Sequence, residues 1–219
     1  MRWHRVKLGG VCLGFGALLL ALVAAAPAHA GEVLTDLPKT IDPQARHLFY
    51  LHGRILELQG RHAVSPQHGP YEYDAILKAL AGRGFNVIGE LRGAATGPEY
   101  AQKVAGQVRR LRAAGVPASG ITVAGFSKGG SLTLGVAAEA AEAGVSYVVM
   151  AGCGASAPEF APRLKGRVLS LYDRNDDIAG SCSAVFAKAP GLVTREIVLA
   201  VGKGHGTFFT PRTEWLEPL

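Results

Sequence analysis

The segment Gly125-Phe126-Ser127-Lys128-Gly129 sets a serine between two glycines. It directly follows the apolar run 121–125 and opens a helical pattern at Lys128, so the serine sits on a strand-to-helix turn. Small flanks suit a sharp turn, because a Cβ there would crowd the backbone. A serine hydroxyl is a weak nucleophile until a base takes its proton. His205, within Gly202-Lys203-Gly204-His205-Gly206 and beyond the last apolar run, is the candidate base. Asp173, Asp176 and Asp177 all follow the run 167–172, and any one of them suffices to hold the imidazole in the right tautomer. The backbone N–H of Lys128 heads a helix, where the dipole favours a developing oxyanion. This is the chemistry of acyl transfer.

The elements that must carry these residues alternate in type. Apolar runs at 47–51, 85–89, 121–125, 146–151, 167–172 and 195–201 read as strands. Helical spacing appears at 71–81, 98–114 and 128–143, and short helices are expected within 181–189 and 211–219. The stretch 31–46 carries Pro38 and Pro43 and reads as a lead-in, and 54–70 as a long polar loop. Near-continuous apolar strands alternating with helices predict an α/β fold: a mainly parallel sheet of about six strands, with helices on both faces.

The first thirty residues read as an export signal. Arg2, Arg5 and Lys7 precede the uncharged run 11–26, then Pro27 and the small-x-small site Ala28-His29-Ala30. The small-residue site and the proline favour cleavage over a retained membrane anchor. Residues 31–219 are then a single domain with no stable membrane span, periplasmic or secreted. Of the net charge of +6, those three basic residues account for three, leaving +3 without a basic block. That balance predicts no nucleic-acid partner. No Cys/His spacing suits a metal, and no phosphate-binding glycine motif appears, so no metal or cofactor is expected. Cys153 and Cys182 are the two cysteines beyond the signal. They lie past the ends of consecutive predicted strands, whose spacing as neighbours is about 4.8 Å. In an oxidising compartment such a pair is expected to form a disulfide.

The motifs YLHGR (50–54), GFSKGG (125–130), LYDRNDD (171–177) and GKGHG (202–206) span nearly all of 31–219. With them the chain resembles a small bacterial α/β-hydrolase of the esterase or dienelactone-hydrolase-like kind. The order Ser, Asp, His along the chain agrees. The resemblance implies Asp176 as the acid, with Asp173 second. It implies a structural His52 and an oxyanion donor at the Arg54 amide. The family's leading hairpin is not evident in 31–46. Only fifteen residues separate Gly152 from Gly166 inclusive, so no cap domain is expected and the site should be open. Phe126, Phe208, Phe209 and Tyr71 are candidates either for its lining or for the core. The implied function is cleavage of small-molecule carboxylic esters through an acyl-enzyme on Ser127. Acyl transfer to an acceptor other than water is the alternative, as is a silent binding domain on the same fold.

Overall fold

The computed structural model describes residues 31–94 and 97–219, so the expected signal at 1–30 lies outside the described residues. In chain order the strands are β1 (Val33–Leu34), β2 (Arg46–Leu51), β3 (Val64–Ser65), β4 (Gly69–Pro70) and β5 (Phe85–Ile88). Then come β6 (Ile121–Phe126), β7 (Ser146–Met150), β8 (Arg167–Asp173) and β9 (Val193–Leu199). The helices are α1 (Arg54–Gln59), α2 (Tyr73–Ala81), α3 (Gly97–Ala113), α4 (Lys128–Ala140), α5 (Ser183–Phe186) and α6 (Thr213–Leu216).

Seven strands form one parallel sheet in the order β1-β5-β2-β6-β7-β8-β9, and β3 and β4 make a separate antiparallel hairpin. Every residue of β6 is buried, as a strand covered on both faces requires. Side chains alternate across a strand, so β2 feeds two cores. Phe49 and Leu51 join α3 and α4 residues such as Val104, Val108 and Leu134. Leu48 and Tyr50 join α2 and α6 residues such as Ile76, Leu80 and Trp215. At one edge β9 shows solvent Thr194 and Arg195, which discourages further strand pairing. At the other, β1 is only two residues long.

From β2 the chain steps to β5 on one side, then returns to place β6 on the other. Strand order thus reverses between β2 and β6. The crevice outside the carboxyl ends of such strands is where open α/β sheets take ligands. The turns after β2, β6, β8 and β9 all open on this edge, and they carry Arg54, Ser127, Asp176 and His205.

Two expectations needed revision. The lead-in contributes β1, paired parallel with β5 through Val33–Val87 and Leu34–Ile88, so the sheet has seven strands. The stretch 54–70 is not one loop but α1 followed by the β3–β4 hairpin. Only Leu56 of the α1 residues is buried, so no helical apolar stripe marked it in the sequence. The connection 152–166 holds just a 3-10 helix, Ala157–Arg163. Among the described residues, no helix is long and apolar enough to cross a membrane.

Candidate active site

Ser127 joins β6 to α4 at φ 55° and ψ −120°, a conformation that costs a non-glycine residue of order 1–3 kcal/mol. Packing leaves the turn no alternative. A Cβ at Gly125 would overlap the Gly129 carbonyl, and one at Gly129 would overlap the Leu51 carbonyl at the end of β2. The Ser127 N–H donates to Met150 O at the end of β7 (2.9 Å). The elbow is thus wedged between two neighbouring strand ends, with its side chain partly exposed.

His205 lies in a short 3-10 helix, Gly204–Phe208, after β9. Its Nδ1 is 2.9 Å from Asp176 Oδ2 and its Nε2 is 2.9 Å from Ser127 Oγ. A carboxylate only accepts, so Nδ1 carries the proton and Nε2 accepts from the serine hydroxyl. The Asp176 carboxyl is held below its ordinary range. Burial alone would raise it, but His205 and the N–H groups of Ala179 and Ile178 outweigh that. Under His205 lies an aromatic floor, with the Phe126 ring centroid 4.8 Å away and Tyr71, Phe208 and Phe209 packed around Phe126. All four are buried, so they belong to the core.

The other two aspartates do different things. Asp173 is fully buried and accepts from Asn175 N (2.9 Å), Gly202 N (2.9 Å) and Thr207 Oγ1 (3.0 Å). It knits the loop after β8 to the loop that bears His205. Asp177 is exposed and lines a polar cavity of 380 Å³ with Gln67, His68, Asn175, Lys203 and His205. Cys153 and Cys182 are disulfide-bonded, with Cα atoms 5.2 Å apart. Cys182 reaches back because the loop before it pairs with the other: Gly180 bridges to Cys153. Its N–H is also held by Glu196 of β9 (2.7 Å).

On the opposite side of Ser127, Gly53 and Arg54 turn the end of β2 into α1. A Cβ on Gly53 would stand 3.1 Å from the Phe126 ring and 3.7 Å from Ser127 Cβ, so this turn lies directly against the elbow. The Arg54 and Lys128 side chains border a cavity of 260 Å³ with Glu57, Leu58 and Ala94. Glu57 and Arg92 were not singled out from the sequence. The Glu57 side chain is only 3% exposed, its Oε1 accepting from Arg92 Nε (2.7 Å) and its Oε2 from Lys128 Nζ (2.6 Å). No motif links residues 35 positions apart, and a single glutamate in a stretch that reads as a polar loop gives no signal of a role. Among the described residues, no group of three His, Cys, Asp or Glu side chains is placed to hold a metal ion.

No protein-family model matches the sequence, and no curated protein matches it. Solved structures do resemble it in shape. SOBER1 of Arabidopsis thaliana superposes with a TM-score of 0.51 at 12% identity, over 75% of this chain and 94% of its own. A predicted CIB-like hydrolase of Thermoplasma acidophilum gives 0.50 at 13%, over 81% and 84%. Dipeptidyl peptidase 4 of Porphyromonas gingivalis gives 0.50 at 16%, over 77% of this chain but 29% of that larger one. Sheet order, the serine elbow at its carboxyl edge and these superpositions agree that the chain has the α/β-hydrolase fold.

Proposed function

We propose that the protein is an exported serine hydrolase that cleaves carboxylic esters. The observation that carries this reading is the unbroken chain Asp176–His205–Ser127, two contacts of 2.9 Å each, on a strained elbow at the carboxyl edge of the sheet. Ser127 Oγ attacks the ester carbonyl while its proton passes to His205 Nε2. Asp176 keeps the imidazole oriented and steadies its positive form. The carbonyl oxygen becomes an oxyanion held by the Lys128 and Arg54 N–H groups. Collapse breaks the C–O bond, and His205 returns the proton to the departing alcohol. Water then attacks the acyl-enzyme, His205 taking its proton, and the acid is released with Ser127 restored.

Export rests on the signal-like segment 1–30, and a disulfide between Cys153 and Cys182 is at home in an oxidising compartment. The short connection 152–166 carries no cap domain, which favours an open, solvent-facing site. A fluorophosphonate probe tests the core of the reading. Wild type should label at Ser127 and hydrolyse short p-nitrophenyl esters, while Ser127→Ala should do neither. Undiminished labelling of the alanine variant would place the nucleophile elsewhere.

A further inference from the structure

The two N–H groups assigned to the oxyanion come from unrelated loops, and such donors must be held to within about 0.5 Å of their productive positions. Lys128 is fixed by the elbow. Arg54 is not so obviously fixed, since α1 has six residues and buries only Leu56. The holding groups come from the segment after β5. The Arg92 guanidinium donates from Nη2 to the His52 carbonyl and from Nε to Glu57, and its backbone N–H donates to His52 Nε2 (3.0 Å). His52 Nε2 is therefore an acceptor, so the ring proton sits on Nδ1, which donates to the Gly53 carbonyl (2.9 Å).

That last bond matters because a peptide group is planar and trans. The Gly53 carbonyl and the Arg54 N–H are opposite ends of one rigid unit. Fixing the oxygen fixes where the N–H points. We propose that Arg92, seated on Glu57, is a positioning residue that orients the oxyanion-binding Gly53–Arg54 peptide through His52. The inference rests on the ester-hydrolase reading above. All members are removed from water: His52 is fully buried, and the Arg92 and Glu57 side chains are 2% and 3% exposed. The arrangement keeps His52 uncharged, since burial first and the Arg92 charge second push its pKa down to about 4. Glu57 stays ionised. Burial would raise its carboxyl, but Lys128 and Arg92 together hold it below the usual range. Because Glu57 also grips Lys128 Nζ, one carboxylate braces both oxyanion loops.

The test separates positioning from simple support. His52→Asn places an amide donor where Nδ1 was, whereas His52→Gln carries its amide too far to reach the Gly53 carbonyl. Both remove the imidazole. The probe is an aliphatic trifluoromethyl ketone, which forms an oxyanion on Ser127. Loss of an oxyanion donor costs roughly 10²–10³ in kcat, so partial misplacement in Arg92→Lys and His52→Gln should cost roughly ten- to hundredfold. The ketone's affinity should fall in parallel, with KM within about threefold. His52→Asn should stay within about fivefold of wild type. The downfield proton resonance of His205 Nδ1 and the apparent pKa of kcat/KM should not move. Should Arg92→Lys not fold, Glu57→Gln supplies the same readout with the same expectation. Equal losses in the Asn and Gln variants, or lowered stability with unchanged ketone affinity, would overturn the proposal. Full hydrolysis by Ser127→Ala would instead bring down the underlying reading.

Discussion

On the side of Ser127 that holds the proposed base, His205, the supporting loops are joined by a covalent bond; on the side proposed to hold the oxyanion they are joined by charge. The Cys153–Cys182 bridge and the buried Asp173 tie together the loops after β7, β8 and β9. The Glu57–Arg92–Lys128 cluster and His52 tie together the loops after β2, β5 and β6. A covalent tie acts largely on the unfolded chain and is indifferent to pH. A buried ionic tie depends on every member being present and correctly ionised, because an unpartnered charge in the interior is costly. One side is therefore sensitive to reductant, and the other to mild acid, at a pH where Asp173 and Asp176, both held below the usual carboxylate range, still keep their charge.

The widest gap between the two sides should appear in activity. Asp176→Asn presents the wrong face to His205 and should cut kcat by about 10⁴, as loss of the orienting acid does in a serine triad. Asp173→Asn should cost far less turnover but more stability, because its three hydrogen bonds hold loops rather than the imidazole. Steady-state kinetics and urea denaturation on both variants check this. If Asp173→Asn is the inactive one, the two roles are reversed.

The serine elbow, the histidine after the last strand and the acid cluster after β8 were legible in the sequence because each is local. Glycines mark the turns, and apolar runs mark the strands that feed them. Which aspartate meets His205 was not readable from the residues alone, because Asp173 and Asp176 are a single turn apart. Their division of labour depends on how that turn folds. Glu57 and Arg92 escaped notice for a different reason. They cooperate across separate elements, and α1 lacks the apolar periodicity that would have announced it. β1 was missed because two residues are too few to show alternation.

Next in size is the staple. The bridge closes a sequence separation of 29, for which chain entropy predicts about 3.6 kcal/mol. The Cys153→Ser/Cys182→Ser double variant should lose about that much in urea denaturation. Its affinity for the trifluoromethyl ketone should be nearly unchanged, since the oxyanion side is untouched. No change in stability on reduction would remove the contrast drawn above.

Mild acid should act first on the other side. His52 has a folded pKa of about 4, below the ~6.5 of an unfolded histidine. A depressed folded value means the stabilisation is fully present above pH ~6.5 and is lost as pH falls toward 4. The shift corresponds to about 3 kcal/mol. His47, also lowered by burial, adds in the same direction. Denaturation at pH 7 and pH 4.5 should therefore show a steeper loss for wild type than for His52→Asn. Parallel pH profiles would mean that His52 is not the acid-sensitive element. The smallest effect is expected where charge meets water. Lys103 and Glu90 pair at 2.7 Å with side chains 48% and 30% exposed. Lys103→Ala should shift stability by no more than about 0.5 kcal/mol, against the large cost of disturbing Glu57.

The backbone of Ser127 carries one more consequence. Its φ of 55° is one that glycine adopts freely. Ser127→Gly should therefore fold into a more stable protein, by about 1 kcal/mol, while losing its chemistry. A lineage released from the need to hydrolyse anything would gain by giving up this one hydroxyl. On the proposed chemistry, then, serine at this strained position costs the fold stability that only the reactivity of its hydroxyl offsets.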